Sequence, residues 1–200
     1  MALLASASTF AAEDTQASLG VAVIGDVAGA NLPESIKANN PNVNTNNKFG
    51  FGLAVLFGQP IHTGLGIETG ALFIDRRFQY GDTAYNFTQT QWTMQIPVIV
   101  RMSLGELFSV GAGPYVSFPI GKVQNSFTLG DSTVTPFSYD RKNFELGLTG
   151  VVTVNIPTGQ HFSAFVEARY TYGLTSLDHA DNQIAKTNDL SALAGIRFSL

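Results

Sequence analysis

Three histidines are the first residues of this 200-residue chain that could carry chemistry. His62 and His161 stand in or beside short turn-like stretches, and His179 lies inside "DHAD", between Asp178 and Asp181. Nucleophilic catalysis needs a histidine that orients a serine for attack, with an acid behind it. No histidine here has that setting. Two aspartates and one histidine in a polar stretch form a weak metal signal, because such groups are usually just solvated. The chain has no cysteine, which excludes disulfides and thiolate metal sites. Gly64-Leu-Gly66 and Gly111-Ala-Gly113 open no helix and are not phosphate loops. The expectation is a protein that is not an enzyme and uses no cofactor or metal.

The ionisable residues that do form a pattern are eight: Asp26, Glu68, Arg76, Arg101, Glu145, Glu167, Arg169 and Arg197. Four are acidic and four basic. Most alternate with apolar neighbours, as the chain end "SALAGIRFSL" shows. There Ala192, Ala194, Ile196, Phe198 and Leu200 share one parity, while Ser191, Leu193, Gly195, Arg197 and Ser199 share the other. Period 2 is the signature of a β-strand between two unlike surroundings. A neutral set of arginines and carboxylates among glycines suits a packed interior in which each charge is paired. Glu68 and Arg101, at similar height on neighbouring strands, are the expected direct pair, and Glu167 is the expected partner of Arg197. By depth, Glu68, Arg101 and Arg197 fall in a lower layer with Glu167 just above it. Asp26, Arg76, Glu145 and Arg169 fall in an upper one.

The same alternation predicts eight strands, near 16–27, 47–58, 63–77, 88–103, 107–121, 141–156, 161–174 and 189–200. Short connections at 58–62, 103–107 and 157–160 alternate with long ones at 28–46, 78–87, 122–139 and 175–188. That order describes an antiparallel up-and-down meander. All four long loops lie at one end and three short turns at the other. Pro97 and Pro114 fall inside strands and are expected to mark local kinks.

Alternation alone does not say which face is inside. Only 13% of residues are charged, against roughly 25% in ordinary domains, so a water-covered surface would be under-supplied. Every lysine falls in a loop or at a strand end. Aromatics gather at both ends of the apolar face. Phe57, Phe108, Phe162 and Phe198 form a lower group, and Phe49, Phe51, Phe73, Trp92, Phe118, Phe144, Tyr170 and Tyr172 an upper one. Two such girdles with aliphatics between them mark a transmembrane barrel. The strands, at about 12 to 16 residues, exceed the usual 5–6 and fit a tilted membrane span plus a rim. The expected fold is therefore all-β, an eight-stranded antiparallel transmembrane barrel. Its interior is just wide enough for its own side chains.

The start, "MALLASASTFAA", reads as a short apolar segment with a small-residue cleavage site before Ala12. Residues 1–11 are expected to be a signal-peptide remnant, and residues 12–200 the barrel domain. The net charge of −4 includes no basic patch, so nucleic acid is not an expected partner.

The end "GIRFSL", with Gly195, Phe198 and Leu200, resembles the C-terminal assembly signature of bacterial outer-membrane proteins. Phe is the commonest last residue of that signature, whereas this chain ends in Leu, and Leu193 stands where a polar residue is preferred. The stretches "TMQIPVIVRMSLGELFSVGAGPYVSF" and "FVEARYTYGLTSL" resemble the PorT-like or "porin family" small barrels, which are similar in architecture to the OmpX and OmpA barrels. The resemblance covers residues 16–200. It implies a protein integral to the bacterial outer membrane, with short turns periplasmic and long loops extracellular. Implied partners are outer-membrane lipid, lipopolysaccharide and the barrel-assembly machinery. A structural or surface-interaction role through the loops, as a monomer with an unidentified extracellular partner, is the expectation. A carrier or narrow channel for small molecules, or an envelope-lipid-modifying enzyme, are the alternatives.

Overall fold

The computed structural model describes residues 16–31, 44–81, 85–129, 132–140, 144–159, 161–175 and 186–200. Residues 1–11 and His179 lie outside the described residues. Alternating sequence becomes alternating burial, as β7 illustrates with buried and exposed residues in strict succession. The strands are β1 (Ser18–Asn31), β2 (Asn44–His62), β3 (Leu65–Gly81), β4 (Tyr85–Leu104), β5 (Phe108–Leu129), β6 (Ser132–Asp140), β7 (Glu145–Pro157), β8 (Phe162–Gly173) and β9 (Lys186–Ser199). All pairings are antiparallel, and β1 pairs with both β2 and β9. The pairing of β4 with β5 closes the ring β1-β2-β3-β4-β5-β7-β8-β9. Closure leaves no strand edge within the wall, which is what a β-structure crossing lipid requires.

Two of the connections expected as long loops are largely strand. β3 runs to Gly81 and β4 starts at Tyr85, while β5 runs to Leu129 and pairs with β6. The expected loop 122–139 is thus largely the hairpin of β5 and β6, and the sixth expected strand, 141–156, corresponds to β7. Lys122 pairs with Asp140 and Ser117 with Glu145 in one common register, so β6 and β7 line the same side of β5. The hairpin rises about 25 Å at the strand rise of about 3.3 Å per residue. Its polar sequence hid it, since Asn, Ser and Thr read as loop even where a polar side chain such as Asn125 takes a buried position.

The hairpin leaves the wall at a bulge. Trp92 pairs with Ile120 and Thr90 with Gln124, so residues 121–123 of β5 face the single Gln91. Gly121 has a φ of 68°, a left-handed conformation that glycine adopts without a side-chain clash. The two extra residues preserve parity, so Val123 and Asn125 still point inward with Ser117. Pro97 and Pro114 cause no such shift, but the pairing lapses beside them, between Thr69–Val98 and Leu72–Gln95 on β3 and β4 and between Pro97–Tyr115 and Val100–Ala112 on β4 and β5.

Glycines on the inner wall let strands bend close together. A Cβ added at Gly113 would fall 1.9 Å from the Val98 carbonyl oxygen, a contact that only backbone movement relieves. Gly113→Ala is therefore expected to destabilise the barrel by about 1–3 kcal/mol, as overpacking does elsewhere. Urea unfolding in micelles checks this, and an unchanged midpoint would show that the wall yields freely there.

Candidate functional site

The lumen is filled by its own side chains in three tiers. The lower tier draws on β3, β4, β5, β7, β8 and β9. Arg101 Nη2 donates to Glu68 Oε1 at 2.7 Å and also to Glu167, while its Nη1 donates to Thr153 Oγ1 at 2.6 Å. Thr153 in turn donates to Glu167 Oε2 at 2.9 Å. Arg169 donates to Glu167 Oε1 from Nε at 3.0 Å and from Nη2 at 2.7 Å, and lies 3.5 Å from Glu68. Arg197 donates to Glu68 Oε2 and to Asn155 Oδ1, both at 3.0 Å, with its guanidinium carbon 4.8 Å above the Phe165 ring centre.

The middle tier is apolar. Ala22, Ile24, Ala54, Leu56, Leu72, Ile74, Phe165 and Leu193 form one buried cluster. Leu193, on the inward face of β9, belongs to this cluster. The upper tier centres on Arg76, which pairs with Glu145 and Asp189. Tyr115 and Thr187 donate to Glu145, Ser191 to Asp26, and Thr171 to Asp189. Arg76 and Arg169, the largest of these side chains, are 1% exposed each, so these charges depend on the protein alone for partners.

All eight charges singled out in the sequence point into this lumen, but their pairing differs from expectation in two places. Arg197 takes Glu68 rather than Glu167, because Glu167 is already held by Arg101, Arg169 and Thr153. Arg169 belongs to the lower tier, since its side chain reaches down its own strand to Glu167. Sequence reasoning also missed Asp189, although it shares the parity of Arg197 and Ser191. It was hidden by its place at the first residue of the expected strand.

The outward face is apolar and exposed, from Val21 and Val23 on β1 to Ile196 on β9. Among the twelve girdle aromatics, Tyr172 alone is half-buried and the rest are exposed. Phe51 meets Trp92 edge to face at 5.5 Å, and Phe118 lies 6.4 Å from Phe144. Gly195 and Phe198 face inward and outward on β9, and a Cβ at Gly195 would fall 2.1 Å from the Val21 carbonyl oxygen. His62 and His161 are exposed at the short-turn end. One outward exception went unnoticed in the sequence. Asp75 on β3 is 2% exposed and bound by Arg77, beside Phe51 and Trp92.

The fold is shared with solved proteins. The outer membrane protein OprG from Pseudomonas aeruginosa aligns with a TM-score of 0.51 at 10% identity, covering 93% of this chain and 96% of that one. Neisserial surface protein A aligns at 0.49 and 15% identity, over 91% and 97%. Ail, the attachment invasion locus protein of Yersinia pestis, aligns at 0.46 and 11% identity, over 92% and 99%. A search of curated proteins finds no match to this sequence. The family described as "Outer membrane protein beta-barrel domain" matches residues 15–179. With a closed barrel, an apolar outer face and a charge-paired lumen, the chain belongs to this outer membrane protein β-barrel domain family and is an integral outer-membrane protein.

Proposed function

We propose that this protein is a closed barrel acting at the cell surface, in a structural or partner-binding role, through the end that carries the β5–β6 hairpin. The observation that carries this reading is the filled lumen. Two charged tiers are separated by buried Leu56, Leu72, Leu193 and Phe165. An apolar constriction of that kind resists wetting, so ions and polar solutes find no path. Effort in the chain goes instead into strands that continue beyond the upper aromatic girdle, into a hairpin of β5 and β6.

In this reading the short turns are periplasmic and the hairpin end is extracellular. The end "GIRFSL" addresses the chain to the barrel-assembly machinery, and the stretches quoted above group it with the PorT-like small barrels. The reading assigns no catalytic set, because the described histidines, His62 and His161, lie at the short-turn end, away from the hairpin end.

Two measurements test it together. Planar-bilayer recording of the folded protein is expected to show no discrete conductance steps, and protease added to intact cells is expected to cut within residues 120–140. Reproducible single-channel steps from wild type would replace this reading with a channel. Protection of that segment on intact cells would reverse the orientation.

A further inference from the structure

The outward charges of the described strands gather at one end. Arg77 and Lys186 lie at the upper girdle, and Lys122 is exposed just above it on β5. Among the described residues, the lower girdle has no outward lysine or arginine, and its turns carry the exposed Glu106. Both upper cations rest on girdle rings. The Arg77 guanidinium carbon lies 5.9 Å from the Phe51 ring centre, and Lys186 Nζ lies 5.7 Å from that of Tyr172. A cation over an aromatic face is attracted by the ring and held at its height.

Arg77 is held more firmly still. Its Nε donates to Asp75 Oδ2 at 2.8 Å, and its Nη2 lies 2.6 Å from the same oxygen. Asp75 is closed off beneath it, while the Arg77 side chain is 41% exposed. A guanidinium has five N–H donors in a fixed plane, so a carboxylate at the Nε–Nη2 edge leaves the Nη1 side to face outward. A buried carboxylate on a lipid-facing wall is costly unless it serves its partner. Asp75 orients Arg77, and Arg77 offers a directed donor edge at the height where headgroups begin.

We propose that the upper girdle is a seat for anionic lipid headgroups of the outer leaflet, with Arg77, set by Asp75 and Phe51, binding a headgroup phosphate and Lys186 on Tyr172 serving as a second, weaker contact. The inference rests on the orientation given above and adds a named site to it. A phosphate fits because charge-assisted N–H donors match its oxygens in plane. Lipid fits better than a soluble anion because both cations lie on the wall that faces the bilayer, between aromatic side chains.

The chain supplies its own reporter. Its single tryptophan, Trp92, touches Phe51, the ring under Arg77. Protein folded in zwitterionic micelles is titrated with diphosphorylated lipid A, with dephosphorylated lipid A, or with inorganic phosphate, while Trp92 emission is followed. Arg77→Gln alone would leave Asp75 charged and unpaired, so the variant used is Asp75→Asn with Arg77→Gln, and Arg77→Lys keeps the charge but loses the fork. Wild type is expected to saturate with lipid A at a concentration about fivefold below the double variant, since the variant keeps the net charge but loses the directed guanidinium donors, and one exposed hydrogen bond to a phosphate contributes roughly that factor. Arg77→Lys should fall between them, and dephosphorylated lipid A should leave emission unchanged. Equal half-saturation for wild type and both variants overturns the proposal, as does an equal response to dephosphorylated lipid. Inorganic phosphate matching lipid A overturns the lipid assignment. Hairpin protection on intact cells would sink the orientation while leaving this titration to be judged separately.

Discussion

Glu68→Gln is expected to be the most damaging single substitution in the lumen, lowering the free energy of unfolding by about 3–5 kcal/mol, the cost of removing one partner from a buried charge pair. Glu68 is 2% exposed and receives Arg101 at 2.7 Å, Arg197 at 3.0 Å and Arg169 at 3.5 Å. Glutamine keeps the volume but removes the charge. Glu167 is then the one carboxylate left beside three arginines, of which Arg101 and Arg197 are 11% and 17% exposed. Arg197→Gln should cost clearly less, because its side chain is 17% exposed and its loss leaves Glu68 with Arg101. Urea unfolding in micelles, with the shift of the folded band on unheated gels as a second readout, gives both values. A double-mutant cycle sharpens the test: Glu68 with Arg101 should couple by about 0.5–3 kcal/mol, whereas Glu167 with Arg197 should be near additive. Strong coupling in the second pair and none in the first would show that the lumen is arranged otherwise.

The second large effect concerns the opposite face of the same wall. Leu53→Arg is expected to destabilise the protein in phospholipid vesicles by about 2–4 kcal/mol, the cost of a cation at the midplane of a barrel's lipid face. Leu53 is 63% exposed and lies midway along β2 between Phe49 and Phe57, so it sits far from both girdles. Arg77 escapes this cost by its height and by Asp75. A wall bathed in water would give a different outcome, since exposed substitutions there usually change stability by no more than about 0.5 kcal/mol. A Leu53→Arg protein as stable as wild type in vesicles would place this face outside the hydrocarbon layer.

Much of the barrel was legible in the chain because a strand's side-chain period is short and local. Two residues suffice to show that Ile196 and Arg197 face opposite surroundings, and the same reading placed Glu145, Glu167 and Arg169 on one wall with Thr149 and Thr153. The sequence by itself determined the eight strands of the ring, their antiparallel order, the inward face of eight charges and the apolar outer face. Scarce charge and paired aromatic girdles distinguish inside from outside.

Height and partner were not legible, and the reason is geometric. In a closed barrel the strands tilt and their registers are staggered, so residues at equal distance from a turn do not share a depth. Arg197 and Glu68 lie 129 positions apart on β9 and β3, strands separated by β1 and β2 in the ring. Their contact crosses the lumen, where no local spacing reports it. The hairpin of β5 and β6 escaped for a related reason. Its inward positions include polar residues such as the buried Asn125, so polar strand and polar loop look alike until a partner strand takes up their backbone hydrogen bonds. The Asp75–Arg77 pair combines both limits. Its charges interrupt an apolar face in plain sight, yet only the approach of Phe51 and Trp92 from neighbouring strands turns that interruption into an oriented guanidinium.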